Sequence, residues 1–124
     1  MRVPPEAPIN MEVNMKPLIS ILITNYNKAK YITYILGVLL EHNTDDIEII
    51  LIDDCSTDNS IEVIHQILDE LNNFKQDNII IIQHKENKGV AYTKQEALDS
   101  SKGEFFIFIE FHFIIKWITF HCSS

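Results

Sequence analysis

Glycine is scarce in this sequence, with three residues in 124. A dinucleotide-binding turn needs G-x-G-x-x-G after its first strand, and a P-loop needs G-x-x-x-x-G-K-[ST]. Neither occurs, so no loop can wrap a phosphate by backbone alone. Cysteine is limited to Cys55 and Cys122, which make no disulfide framework and lack the spacing of a zinc site. Both read as reduced thiols of a cytoplasmic protein. Ten basic residues face 18 acidic ones, for a net charge of -8. No Lys/Arg run forms the electrostatic footprint that nucleic acid requires, which argues against that partner. The opening stretch MRVPPEAPINMEVNMKP lacks the apolar segment of a signal peptide and reads as a flexible leader over residues 1–16. The apolar run from Phe105 to Phe120 is broken by Glu110, His112 and Lys116, and it falls short of the ~20 residues of a spanning helix.

What the sequence does contain is apolar material in a regular order. Hydrophobic residues make up 46% of the chain, enough for one domain with a core and too much for disorder. Leu18–Thr24 (LISILIT) and Ile47–Ile52 (IEIILI) are short β-branched runs of the kind buried on both faces of a sheet. Ile79–Gln83 and Phe105–Ile109 are two more. Between them, residues 29–41, 60–73 and 90–101 carry apolar side chains at helical spacing. Asn59 with Glu62 resembles a capping box, and Gly103 is placed to end the third helix in the left-handed conformation. Strand–helix repeats of this length predict right-handed crossovers and a mainly parallel sheet, an α/β three-layer sandwich.

In such sheets ligands bind beyond the carboxyl ends of the strands. The informative loops are therefore TNYN, DDCSTDNS and HKENKG, with whatever follows Ile109. Asp53 and Asp54 stand side by side at the end of the second strand. A helix cap from Asp53, Ser56 or Asp58 explains one acid well and a pair poorly. Two close carboxylates repel, so one is expected to be satisfied locally and the other to accept hydrogen bonds from a ligand. Tyr26 either packs on the core or borders that ligand. His65 and His84 read as structural residues.

The order SILITNYNKAKYI, IEIILIDDCSTDNS, IIIIQHKENKGVAYTKQEAL, KGEFFIFIE resembles the N-terminal half of family 2 glycosyltransferases, the inverting nucleotide-diphospho-sugar enzymes of the Rossmann-like GT-A fold. The resemblance runs from about Pro17 to Ile109. It implies nucleotide contacts at Thr24, Tyr26 and Asn27 in the first loop. It implies base recognition by Asp54, beside Asp53 and Ser56, through the N3–H of uracil, a donor that suits a carboxylate. Asn87, Lys88 and Gly89 match the loop that closes over the nucleotide. Lys94 and Gln95 replace the family's Arg-Asn, keeping a charge for the diphosphate without the bidentate fork. A uridine diphospho-sugar is the implied small-molecule partner.

After the fourth strand the family places Asp-x-Asp, whose carboxylates hold Mg²⁺ or Mn²⁺. Here the run is Ile109-Glu110-Phe111-His112-Phe113, which leaves Glu110 and His112 as substitutes at the metal position. The domain is expected over residues 17–110, followed by an atypical apolar tail over 111–124 that offers a surface for self-association or peripheral membrane contact. A general base for the acceptor hydroxyl has no counterpart in the chain. The expectation is a truncated glycosyltransferase, inactive alone. The alternatives are a nucleotide-binding remnant without turnover and a non-functional gene fragment.

Overall fold

The computed structural model describes residues 17–41, 45–70, 78–110 and, as backbone, 117–122. Five strands, β1 (Ile19–Asn25), β2 (Ile47–Asp53), β3 (Ile79–Gln83), β4 (Phe105–Glu110) and β5 (Trp117–Cys122), occur with three helices, α1 (Ala29–Glu41), α2 (Ser60–Glu70) and α3 (Val90–Ser100). The sheet order is β3-β2-β1-β4-β5. β1 pairs in parallel with β2 and β4, and β2 with β3.

β1 and β2 are apolar without alternation because both faces of the sheet are covered. Ile21, Ile23, Ile49 and Leu51 pack with Ile32, Leu36 and Leu40 of α1 and Ile64 of α2. Their neighbours Leu22, Ile50 and Ile52 point the other way and meet Ala97 of α3 and Phe106. Helices on both sides of one sheet make the expected three-layer sandwich, and the four parallel strands fall where the apolar runs place them. Among the described residues no helix is long and apolar enough to cross a membrane.

Part of the apolar tail adds a strand: β5 pairs antiparallel with β4, Phe105 opposite Cys122 and Glu110 opposite Trp117. Two local expectations need correction. The carboxylate that meets the first turn of α2 belongs to Asp58, whose Oδ1 accepts from Ser60 N at 2.9 Å, rather than to an Asn59–Glu62 box. Gly103 is not left-handed. α3 ends on Ser101 in an extended conformation, φ -77°, and Gly103 is required by close approach instead. A Cβ there would lie 2.6 Å from Ser20 Oγ and 2.8 Å from Ser20 N. That contact belongs to a buried cluster at the amino end of the sheet. Glu48 accepts from Lys102 N at 2.6 Å and from Ser20 Oγ, and Gly103 N donates to Ser20 Oγ at 2.8 Å. It pins the α3–β4 connection and leaves the opposite, carboxyl edge free for a site.

Candidate functional site

At the carboxyl edge Asn25 of β1 stands in register with Asp53 of β2. Asp53 is fully buried. Its Oδ1 accepts from Asn25 Nδ2 at 2.7 Å and from Ser56 Oγ at 2.7 Å, and its Oδ2 accepts from Ser56 N at 2.9 Å. Ser56 Oγ in turn accepts from Asn27 N at 2.8 Å. Asn27 Oδ1 accepts from Thr57 N at 2.7 Å and Asp58 N at 3.1 Å. Two non-glycine residues, Asn27 (φ 55°) and Cys55 (φ 64°), take the left-handed conformation to allow these reversals. Asp53, Ser56 and Asn27 thus lace the first loop to the second.

Asp54 turns the other way. Its backbone N donates to Asn25 O at 2.9 Å, continuing the β1 pairing. Its carboxylate meets the start of α3: Oδ1 accepts from Lys88 N at 2.7 Å and Oδ2 from Gly89 N at 3.0 Å. Gly89 is the N-cap residue of α3, with φ 93° and no side-chain cap of its own. A carboxylate just beyond β2 therefore accepts from the two N–H groups that lead into α3, near the positive end of its dipole. Asn87 Nδ2 donates to Asp54 O at 3.2 Å.

His84, just beyond β3, is buried between two carboxylates. Nδ1 lies 2.8 Å from Asp54 Oδ1 and Nε2 lies 2.5 Å from Glu96 Oε1 of α3. Burial opposes ionisation of Asp54, but the hydrogen bonds from His84, Lys88 N and Gly89 N outweigh it and lower its pKa. Burial likewise opposes the charged form of His84, but its bonds to Asp54 and Glu96 prevail and raise its pKa.

In front of Asp54 is an open cleft of about 270 Å³, lined by Thr24, Tyr26, Lys28, Asp54, Lys94 and Glu110 among others. Tyr26 is 46% exposed at its rim. Lys94 Nζ donates to Glu110 Oε2 at 2.7 Å and sits 5.6 Å from the Phe108 ring centroid. Lys88 reaches the site through its backbone, while its ammonium lies over the Tyr92 ring at 5.0 Å.

Of the residues singled out in the sequence, the fold brings Thr24, Tyr26, Asp54, Lys94 and Glu110 around one cleft. Asn87, Lys88 and Gly89 contact Asp54 from its α3 side. Asp53, Asn27 and Ser56 are not among the lining residues. They form the framework that holds the loops. His112, a candidate for the metal position, lies outside the described residues. The other candidate, Glu110, gives an oxygen to Lys94. Among the described residues no group of three His, Cys, Asp or Glu could hold a metal ion. The Lys94 ammonium in contact with Glu110, the carboxylate at the end of β4, already supplies positive charge there, so the described donors at that position do not fit Mg²⁺ or Mn²⁺. His84, read from the sequence as a structural residue, is buried with both ring nitrogens bonded, but its contacts with Asp54 and Glu96 were not anticipated. The position of His84 at a strand's carboxyl end was the available signal.

A family model described as Glycosyl transferase family 2 matches residues 20–116. Glycosyltransferase GlyG of Streptococcus pneumoniae is 36% identical over 103 residues, 82% of this chain and 32% of that protein. The putative teichuronic acid biosynthesis glycosyltransferase TuaG of Bacillus subtilis is 30% identical over 99 residues, 78% of this chain and 36% of that protein. The chain thus spans about a third of the length of these curated relatives. Among solved structures, Staphylococcus aureus TarS in complex with UDP superposes with a TM-score of 0.61 at 30% identity, covering 77% of this chain and 27% of that one.

Proposed function

The chain belongs to glycosyl transferase family 2, and from that footing we propose that its cleft binds a nucleotide-diphospho-sugar, with uridine as the preferred base, as donor for inverting glycosyl transfer. The carrying observation is the placement of Asp54. Its Oδ2 accepts one backbone N–H, from Gly89, and a carboxylate oxygen has room for a second donor. The N3–H of uracil is such a donor. Tyr26, half-exposed at the rim, offers a face for the base or ribose. Lys94, held by Glu110, offers a cation for the diphosphate. The family likeness to TarS, a protein solved with UDP, agrees with this choice of base.

In this reading each residue acts by binding or orienting. Asp54 reads the base edge, the backbone of Lys88 and Gly89 fixes that carboxylate, and Lys94 offsets phosphate charge. A divalent ion, where the family uses one, stabilises the departing diphosphate.

The test compares uridine diphosphate with cytidine diphosphate, which share their phosphates and differ at the base edge. Cytosine presents a lone pair at N3, and this repels a carboxylate. UDP is expected to bind at least ~10-fold more tightly, about 1.4 kcal/mol. Equal affinities by calorimetry would refute the role of Asp54. No binding of either would refute the nucleotide site.

The Lys94–Glu110 pair favours a second reading, nucleotide binding without turnover. A single ammonium stabilises a departing diphosphate less than a divalent ion does. Release of UDP from a uridine diphospho-sugar at enzymatic rates would dismiss it.

A further inference from the structure

We propose that His84 is a positioning residue: as an imidazolium clamped between Asp54 and Glu96 it fixes the Asp54 carboxylate at the cleft and ties it to α3, so that ligand affinity falls with rising pH. The inference rests on the nucleotide reading of the cleft and adds a control to it.

The geometry carries the charge state. A neutral imidazole has one N–H and one lone pair. Here both ring nitrogens face carboxylate oxygens, at 2.8 Å on Asp54 and 2.5 Å on Glu96. A lone pair against either oxygen would be repulsive, so both nitrogens donate. His84 is only 7% exposed, and a buried cation is retained only when it is paired. The groups facing it are few. The β2 loop supplies the Asp54 carboxylate. α3 supplies Glu96 and Tyr92, whose ring lies edge-on at 5.9 Å. Lys88 lies over the Tyr92 ring. Asp53 offers its carbonyl, which accepts from His84 N at 2.9 Å, rather than its carboxylate.

Removing the proton has two consequences of the same sign. One of the two contacts turns repulsive, so either Asp54 loses its side-chain anchor or α3 loses its tether. The group Asp54–His84–Glu96 also passes from net charge of about -1 to about -2 beside a cleft that is to receive a diphosphate. Because α3 carries Lys94 as well as Glu96, loosening it also moves the cation of the cleft. Linkage makes the effect reciprocal: bound diphosphate raises the proton affinity of His84.

The experiment pairs nitrogen-detected NMR of the His84 ring with calorimetry of UDP from pH 6 to pH 8.5. The free protein is expected to show both ring nitrogens protonated at neutral pH. UDP affinity is expected to fall roughly tenfold across the His84 titration. Glu96→Gln removes one carboxylate from a half-buried helix position, and the affinity step should move to lower pH. His84→Asn keeps an N–H toward Asp54 without a titrating group, and its profile, divided by the intrinsic titration of UDP, should be flat. A purely structural histidine would leave the three profiles parallel, and that result overturns the proposal. A neutral His84 ring at pH 7 overturns it too. UDP binding that is flat in pH overturns this inference alone, whereas no UDP binding at any pH overturns it together with the nucleotide reading.

Discussion

Asp53 accepts three hydrogen bonds inside the loop framework, and Asp54 accepts its bonds from the start of α3 and from His84. Strand alternation separates them, since adjacent side chains leave a strand in opposite directions. Asp53→Ala would take the acceptor from Ser56 N and leave Asn25 Nδ2 with only Ser56 Oγ at 3.2 Å. It is expected to cost about 2–4 kcal/mol in urea unfolding. The charged groups of the site also set a pH profile. Asp54 and Asp58 have lowered pKa values, Asp58 because bonds from Ser60 and Ala29 N outweigh the opposing burial. Their contribution is in place above the model-peptide value of 3.8 and is lost as pH falls through the lowered folded values. His84 has a raised pKa, so its contribution is in place below 6.5 and is lost as pH rises through the raised folded value. The urea midpoint is therefore expected to be highest between about pH 4 and 6.5 and to fall on both sides. A profile that keeps rising from pH 6.5 to 9 would contradict the His84 assignment. At this scale the sequence was partly legible. An acid pair at a strand end announced a division of labour, but not that Asp54 would be met by a histidine 30 residues away. That contact exists only once β2, β3 and α3 have come together.

The elements were easiest to read where burial is two-sided. β1 and β2 show apolar runs, interrupted near their amino ends by Ser20 and Glu48, because α1 and α2 cover one face and α3 the other. β3 is different: Ile79–Ile82 have the same composition yet are half-buried, because the strand is outermost and pairs only with β2 among the described strands. Composition alone could not report that position. The contrast gives a prediction. Ile64→Ala on α2, fully buried against α1 and the sheet, is expected to cost about 2–5 kcal/mol. Ile81→Ala on β3 should cost clearly less, and the reverse order in chemical unfolding would contradict the packing. β5 was not anticipated as a strand, although Trp117, Ile118, Thr119 and Phe120 are strand-forming types. Pairing with β4 decided the matter, and that is a long-range fact. Gly103 was legible as necessary but for the wrong reason. Gly103→Ala is expected to cost about 1–3 kcal/mol in urea unfolding through its clash with Ser20, whose backbone N as well as Oγ stands in the way, and an unchanged midpoint would contradict that close approach.

Across the molecule, the two ends of the sheet differ. Glu48, Ser20 and Lys102 close the amino end with buried hydrogen bonds, while the carboxyl end carries the cleft with Thr24, Tyr26, Asp54 and Lys94. Parallel strands impose this polarity, since every strand–helix loop falls on the same edge. The order of blocks in the sequence therefore indicated which loops would meet, but not the ion pair that closes Lys94 onto Glu110. The proposed ligand of that carboxyl edge is a nucleoside diphosphate. A titration of the ¹⁵N-labelled chain with UDP, followed by amide shifts, tests it most directly. Shifts are predicted at Thr24, Tyr26, Asp54 and the Lys88–Lys94 stretch, with Ser20, Glu48 and Gly103 unmoved. Saturating UDP that leaves the cleft amides in place, or moves the Glu48 end instead, would rule out binding at the carboxyl edge.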